Sequence, residues 1–149
     1  MLRVGDKAPD FTAESTQGRI HLAELLGQNN VVLIFYPGDD TPVCTKQLCA
    51  VQDNYSRFAQ EDTVVLGVNP AALAKHQSFS RKFGYGFPLI VDQNEEIRKL
   101  YKVGKILGLF AQQRVVYVID KDGIIRFAQK GNPRPDELLD VIKKGANQC

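Results

Sequence analysis

A short apolar run most constrains the fold of this chain. Residues 31–36 (VVLIFY) are six apolar residues in a row, and Pro37 and Gly38 end the run. A continuous apolar run of this length, bounded by turn residues, is typical of a strand that is buried on both faces. The sequence therefore predicts a central strand with other structure packed on each side.

The rest of the chain alternates similar runs with helical segments. We expect further strands at 64–68 and 89–91, and a hairpin of 115–119 with 124–128 across the turn Asp120-Lys121-Asp122-Gly123. Start signals and apolar spacing predict helices at 71–83, 95–102 and 136–144, and one from Pro42 to about residue 59. This order predicts a single α/β domain over 1–149, with a mostly parallel central sheet, an antiparallel edge hairpin and helices on both faces. Thioredoxin-like folds have this order, as do other small α/β layers.

Composition and charge exclude several functional classes. The net charge of +2 comes from scattered Lys and Arg residues, unlike the concentrated basic patch of a nucleic-acid binder. No apolar stretch reaches the length of about 18 residues that suggests a membrane span. The opening MLRVGDKAPDF has no apolar segment of a secretory signal, which favours a cytoplasmic location.

The cysteines point to chemistry. The chain has three, Cys44, Cys49 and the final residue Cys149, and an odd number argues against a purely structural disulfide framework. In a chain without an export signal, the nearby pair Cys44 and Cys49 favours a catalytic or metal-binding role.

Cys44 follows the central strand at the place where α/β folds put their sites. Thr41 and Pro42 fit the N-cap and first position of a helix, which places Cys44 in its first turn. Unpaired N–H groups and the helix dipole favour an anion there, so Cys44 is well placed to react as a thiolate. The alternative, a small buried hydrophobic residue, is equally compatible with position alone.

The spacing of Cys44 and Cys49 adds a constraint. In a regular helix, Cα atoms five residues apart are separated by ~8.7 Å, whereas a disulfide needs about 4.4–6.8 Å. The two cysteines can therefore bond only if the first turns of the helix unwind. If they pair, they form a redox switch that is coupled to local unfolding.

These residues resemble a known family. The pattern Pro37-x-x-x-Thr41-x-x-Cys44 is similar to the active-site signature of peroxiredoxins, and Cys44-x-x-x-x-Cys49 resembles their bacterioferritin-comigratory-protein/PrxQ branch. Nearly the whole chain shares the resemblance, which includes the opening residues 4–11, the motif Phe87-Pro88-Leu89 and an arginine, Arg114, before a strand.

The resemblance implies roles for five residues. Cys44 is the peroxidatic cysteine and Cys49 the resolving cysteine, which closes a Cys44–Cys49 disulfide. Thr41 hydrogen-bonds the peroxide or the sulfur, Pro37 shields the sulfenic acid, and Arg114 holds the thiolate and polarises the peroxide. It also implies a hydroperoxide substrate, thioredoxin or a similar dithiol as reductant, no metal or organic cofactor, and a monomer.

The chain departs from the branch at two positions. Gln47 and Gln52 stand where branch members often carry Glu and Arg, which leaves open whether Gln47 supports the site. The role of Cys149 is also open, between a tail thiol and an intermolecular resolving cysteine, as is that of residues 104–113.

Two other functions compete with the peroxidase hypothesis. A disulfide oxidoreductase would leave hydrogen peroxide untouched with dithiothreitol as reductant, and such enzymes usually carry Cys-x-x-Cys. A metal carrier would use Cys44, Cys49 and a histidine, yet His21 and His76 have no ligand-like spacing to either cysteine.

Overall fold

A computed structural model of the protein describes residues 1–39, 41–106 and 111–146. Within these residues the chain forms seven strands and six helices, in the order β1 (Thr12–Ser15), β2 (Gly18–His21), α1 (Leu22–Leu25), β3 (Asn30–Phe35), α2 (Pro42–Asp53), α3 (Tyr55–Gln60), β4 (Thr63–Asn69), α4 (Leu73–Phe83), β5 (Leu89–Val91), α5 (Glu96–Leu100), β6 (Val115–Ile119), β7 (Ile125–Lys130) and α6 (Pro135–Ala146).

The strands form one mixed sheet in the order β2-β1-β5-β4-β3-β6-β7. The apolar run of the sequence is its central strand β3, which pairs in parallel with β4 and antiparallel with β6. Strands β4 and β5 are also parallel, whereas the β1–β2, β1–β5 and β6–β7 pairs are antiparallel. The sheet is therefore less parallel than predicted: only three adjacent strands run in parallel, with antiparallel strands on both sides.

The core has two layers because side chains alternate along β3. Val32 and Ile34 lie on one face with α2, α3, α4 and α6. Val31, Leu33 and Phe35 lie on the other face with α1, α5 and the N-terminal segment. All five side chains are fully buried. Helices cover both faces, as predicted, and every apolar side chain of β3 packs against one of these two layers.

Two differences between the predicted and the observed helix boundaries have a local cause in the structure. The helix expected to reach about residue 59 breaks at Asn54, whose side-chain amide donates to the Ala50 carbonyl at 2.8 Å. A continuing helix would pair that carbonyl with the Asn54 N–H. Helix α4 begins at Leu73, two residues later than predicted, because Asn69 folds back on the chain and accepts from the Ala71 N–H at 2.9 Å.

The sequence analysis also missed the β1–β2 hairpin. Its two four-residue strands are largely exposed, so they lack the apolar run that revealed the other strands. The predicted hairpin of the last two strands is confirmed as β6–β7, with β7 extending to Lys130. Among the described helices, none has both the length and the apolar character needed to cross a membrane.

Gly67 in β4 allows close packing beneath the loop that follows β3. A Cβ atom at this position would lie 2.8 Å from the Leu89 side chain and 3.3 Å from the Tyr36 ring. Leu89 and Tyr36 are fully buried, so neither side chain has free space to move into. The absence of a side chain at Gly67 therefore sets the position of the Tyr36 ring.

We expect Gly67→Ala to destabilise the protein by about 1–3 kcal/mol, because an extra methyl group overpacks a filled core. Chemical denaturation measures the free energy of unfolding. The matched control is Gly145→Ala in α6, where a Cβ atom meets nothing within 4 Å and alanine favours the helix by up to about 1 kcal/mol. Equal midpoints for the two variants would contradict this packing.

Candidate active site

The topology of the sheet brings two distant parts of the sequence to one edge. Phe35, the last residue of β3, pairs with Val115, the first residue of the antiparallel strand β6. The chain that leaves β3 toward Cys44 and the residue that precedes β6, Arg114, therefore emerge at the same edge of the sheet. Cys44 and Arg114, which are 70 positions apart in the sequence, are therefore neighbours in the fold.

Cys44 lies in the first turn of α2, as predicted. Thr41 is the N-cap residue with an extended backbone, and Pro42 occupies the first helical position. The Thr45 N–H donates to the Thr41 carbonyl at 2.9 Å and so closes the first turn. Cys44 is fully buried, on the same helix face as Gln47, Leu48 and Val51.

Arg114 contacts the sulfur directly. Its Nη2 donates to Cys44 Sγ at 3.1 Å, and its Nη1 donates to Gln47 Oε1 at 2.5 Å. Cys44 and Gln47 are three residues apart on one helix, so they are neighbours on its surface. The planar guanidinium contacts both groups and directs its N–H donors and a permanent positive charge at the sulfur.

The contact with Arg114 shows how Gln47 supports the site, which the sequence left open. A glutamine is neutral, but its amide oxygen accepts the Arg114 N–H as a carboxylate would, and it is 2% exposed. The full charge of Arg114 is then not neutralised by a neighbouring acid at this position. Gln52 has a different role: its Oε1 accepts from the Gly86 N–H at 2.7 Å and ties α2 to the segment before β5.

The segment before Arg114 is anchored by Gln112. Its side-chain Nε2 donates to the carbonyls of Tyr36 at 2.8 Å and Val68 at 2.7 Å, at the ends of β3 and β4. Gln112 is 1% exposed, and its own side-chain oxygen is buried with no hydrogen-bond partner among the described residues. The carbonyl of Arg114 accepts from the Gly131 N–H at 2.8 Å. Arg114 thus extends from a fixed backbone.

Thr41 and Pro37 lie in the loop between β3 and α2. The Thr41 hydroxyl donates to the Gly38 carbonyl at 3.2 Å and makes no capping bond to its own helix. Because its one proton is committed, its oxygen is left as an acceptor for an O–H group of a substrate. Pro37 is partly exposed, and the described structure gives no contact that tests its shielding role. The roles of Thr41 and Pro37 stay predictions.

Cys49 is half-buried and lies in the same uninterrupted helix as Cys44. Both are free thiols, so the structure corresponds to the reduced protein. The helix that the sequence predicted across both positions is confirmed, and with it the geometric barrier to a Cys44–Cys49 bond. Cys149 and residues 107–110 lie outside the described part of the chain.

A buried polar network under the loop was missed by the sequence analysis. The Tyr36 hydroxyl donates to Asp39 Oδ1 at 2.6 Å, and Asp39 Oδ2 lies 2.6 Å from His76 Nδ1. The side chains of Asp39 and His76 are completely buried. Burial, and then the charge of Asp39, raise the pKa of Tyr36 well above its usual value, so this phenol stays protonated and donates.

The surroundings of His76 fix its tautomer. Its Nε2 lies 3.1 Å from the carbonyls of Asn69 and Ile90, which only accept hydrogen bonds, so Nε2 carries a proton. The contact of Nδ1 with Asp39 Oδ2, at 2.6 Å, joins the ring to the carboxyl group. The network joins the loop after β3 to α4 and to the ends of β4 and β5.

In the described part of the chain, neither histidine forms a hydrogen bond with Cys44 or Cys49. His21 pairs with Asp10 on the surface at 2.7 Å, and His76 is satisfied within its buried network. In residues 1–39, 41–106 and 111–146, no three His, Cys, Asp or Glu side chains converge as metal ligands would.

Comparison with known proteins places this geometry in a family. The AhpC/TSA family profile matches residues 4–128. The chain is 33% identical to a chloroplastic peroxiredoxin Q from Sedum lineare over 141 residues, covering 94% of this chain and 75% of that protein. It is 34% identical to a putative peroxiredoxin bcp from Coxiella burnetii over 129 residues, covering 83% and 85% of the two chains.

The fold comparison agrees. The crystal structure of peroxidoxin BcpB from Mycobacterium tuberculosis superposes with a TM-score of 0.89 at 26% identity, over 97% of this chain and 98% of that chain. Several other plant relatives are longer, and the chain spans 62%, 65% or 66% of their length. The thioredoxin-like fold, one of the α/β layers that the order of elements allowed, is confirmed. With a matching family profile over most of its length and relatives of this similarity, the chain belongs to the AhpC/TSA family and is a peroxiredoxin related to the PrxQ and bcp proteins.

Proposed function

We propose that this peroxiredoxin reduces hydrogen peroxide and organic hydroperoxides with Cys44 as the nucleophile and Cys49 as the resolving thiol. The observation that supports it most directly is the 3.1 Å contact from Arg114 Nη2 to Cys44 Sγ at the start of α2. A guanidinium in a buried site stabilises an anionic sulfur before the reaction, and the charge that develops on the peroxide during it.

The first step breaks the O–O bond. The Cys44 thiolate attacks one peroxide oxygen, an S–O bond forms, and the electron pair of the O–O bond leaves with the other oxygen, which takes a proton and departs as water or an alcohol. Pro42 has no N–H, and helix geometry leaves the N–H groups of Val43 and Cys44 without intrahelical acceptors. These donors and Arg114 stabilise the departing oxygen, while the Thr41 oxygen accepts the remaining peroxide O–H.

The second step converts the sulfenic acid to a disulfide. The first turns of α2 open, the Cys49 sulfur attacks Cys44, and the hydroxyl of the sulfenic acid leaves as water. The protein gives up its two thiol hydrogens over the two steps, which balances the reduction of one peroxide. An external dithiol such as thioredoxin then restores both thiols by exchange and is itself oxidised. A cytoplasmic location and a monomeric state stay predictions.

Replacing each cysteine separates their roles. We expect Cys44→Ser to abolish peroxide consumption with dithiothreitol as reductant, because the nucleophile is lost. Cys49→Ser should consume about one equivalent of peroxide and then stall or draw on Cys149. Stopped-flow peroxide consumption, with a sulfenic-acid trap and mass analysis, measures both. Normal turnover by Cys44→Ser would contradict the proposal.

Peptide mapping of the oxidised protein identifies the resolving thiol. The expected product is a Cys44–Cys49 crosslink within one chain. A crosslink between Cys44 of one chain and Cys149 of another would instead assign the second step to the terminal cysteine. Substitution of Cys149 by serine, which should leave turnover unchanged, is the matched control.

Loss of the guanidinium should slow the peroxide step. For Arg114→Ala we expect a second-order rate constant lower by about 10²–10³-fold, the usual effect of removing one donor from an oxyanion site. The circular dichroism spectrum should be unchanged. Arg126→Ala, which removes a half-exposed arginine from β7, is the control for loss of charge. An unchanged rate in Arg114→Ala would exclude Arg114 from the site.

A further inference from the structure

Tyr85 lies between α4 and β5 in a packed aromatic cluster. Its ring stacks on Phe83 and Phe87, with centroids 5.9 and 5.1 Å away, and meets the edge of Phe79 at 5.3 Å. The residue is 6% exposed. Contact on several sides fixes the ring, so the hydroxyl is held at a defined position with little loss of conformational entropy on making a bond.

The hydroxyl of Tyr85 lies at the helical turn that separates the two cysteines. It donates to the Thr45 carbonyl at 3.4 Å and lies 3.5 Å from Cys49 Sγ. In a regular helix, the Thr45 carbonyl is the acceptor for the Cys49 N–H. The phenol therefore contacts both the Thr45 carbonyl and the Cys49 sulfur, and in the contact with Cys49 either group can be the donor. Tyr85 thus bridges the backbone and the side chain of the same turn.

This turn must open before the disulfide can form. Cys44 and Cys49 both lie within α2, and their Cα atoms in a regular helix are too far apart for a disulfide. When the turn unwinds, the Cys49 sulfur leaves the phenol and the Thr45 carbonyl loses its bond to Tyr85. Both contacts therefore favour the closed helix and are lost before the second chemical step.

We propose that Tyr85 is a positioning residue that restrains Cys49 in the helix and so slows disulfide formation after Cys44 has been oxidised. The inference rests on the proposed roles of Cys44 and Cys49. Its consequence is a choice between two fates of the sulfenic acid. Resolution by Cys49 gives the disulfide and water. Attack on a second hydroperoxide breaks another O–O bond, transfers an oxygen to the sulfur, and gives a sulfinic acid and water or an alcohol.

Restraint of the helix lengthens the life of the sulfenic acid and so favours the second fate. Tyr85 therefore lowers the peroxide concentration at which overoxidation inactivates the protein. The peroxide step itself does not require the turn to open, so it is independent of the Tyr85 hydroxyl.

Tyr85→Phe tests the inference, since it keeps the aromatic ring and removes only the hydroxyl. In rapid-quench experiments with mass detection, we expect disulfide formation to become about threefold to tenfold faster, the range for loss of a modest net hydrogen bond. The fraction of sulfinic acid at a given excess of peroxide should fall by a similar factor, and the rate of the peroxide step should stay the same. The control is Tyr55→Phe, at a ring that lies 6.2 Å from Phe87. The Tyr55 hydroxyl makes no hydrogen bond within the described residues, so both rates should match those of the unsubstituted protein.

The outcomes distinguish this inference from the proposed function. Disulfide formation that is unchanged or slower in Tyr85→Phe would overturn the restraint by Tyr85, with the peroxidase chemistry intact. A general loosening of the site would slow the peroxide step as well, and would also overturn it. Absence of a Cys44–Cys49 disulfide in the unsubstituted protein would instead remove the function on which the inference rests.

Discussion

The contact between the Arg114 guanidinium and the Cys44 sulfur is the interaction on which the proposed chemistry of this protein depends. It joins the start of β6 to the first turn of α2, across 70 positions of sequence. The antiparallel pairing of β3 with β6 makes the contact possible, because it places the end of one strand beside the beginning of the other. A buried apolar strand thus serves the reaction by fixing where two distant side chains meet.

Holding the sulfur ready requires a rigid loop between β3 and α2. Polar groups in the apolar core contact this loop, and each of them needs a hydrogen-bond partner because it is buried. The Tyr36 carbonyl accepts from Asn69 and Gln112, and its hydroxyl is bonded to Asp39, which pairs with His76. A network of this kind is worth most when it is complete, and it resists displacement of any one member. Tyr36 and Asp39 are therefore held in place, whereas the proposed mechanism requires the helix that follows to open.

The same helix thus has two opposed requirements. In the proposed mechanism, its intact first turn supplies the N–H groups and the position of Cys44 for the peroxide step, whereas the Cys44–Cys49 disulfide needs that turn to unwind. Gln52 and Tyr85 both connect α2 to the segment before β5, and their contacts stabilise the intact helix. Each contact of this kind is worth about 1 kcal/mol, which is enough to shift the balance between the closed and the open helix several-fold.

Much of this could be predicted from sequence, for physical reasons that also explain what was missed. Long apolar runs revealed β3, β4 and β6, and the Thr41-Pro42 signal placed Cys44 in the first turn of α2. The exposed β1–β2 hairpin left no such pattern, and this made the sheet look more parallel than it is. The contacts of His76 with Asp39 and of Gln112 with Tyr36 were missed because these partners are 37 and 76 positions apart and no spacing pattern connects them. Gln47 was noticed as a departure, but only the structure shows its amide oxygen bound to Arg114.

The central claim is that Cys44 is selectively activated toward peroxide, beyond being an accessible nucleophile. The most direct measurement is competition at neutral pH, in protein with Cys49 and Cys149 replaced by serine, between equal concentrations of hydrogen peroxide and the alkylating agent iodoacetamide. The site predicts that mass analysis finds Cys44 almost wholly oxidised and little alkylated. A product ratio equal to that of free cysteine under the same conditions would contradict the claim.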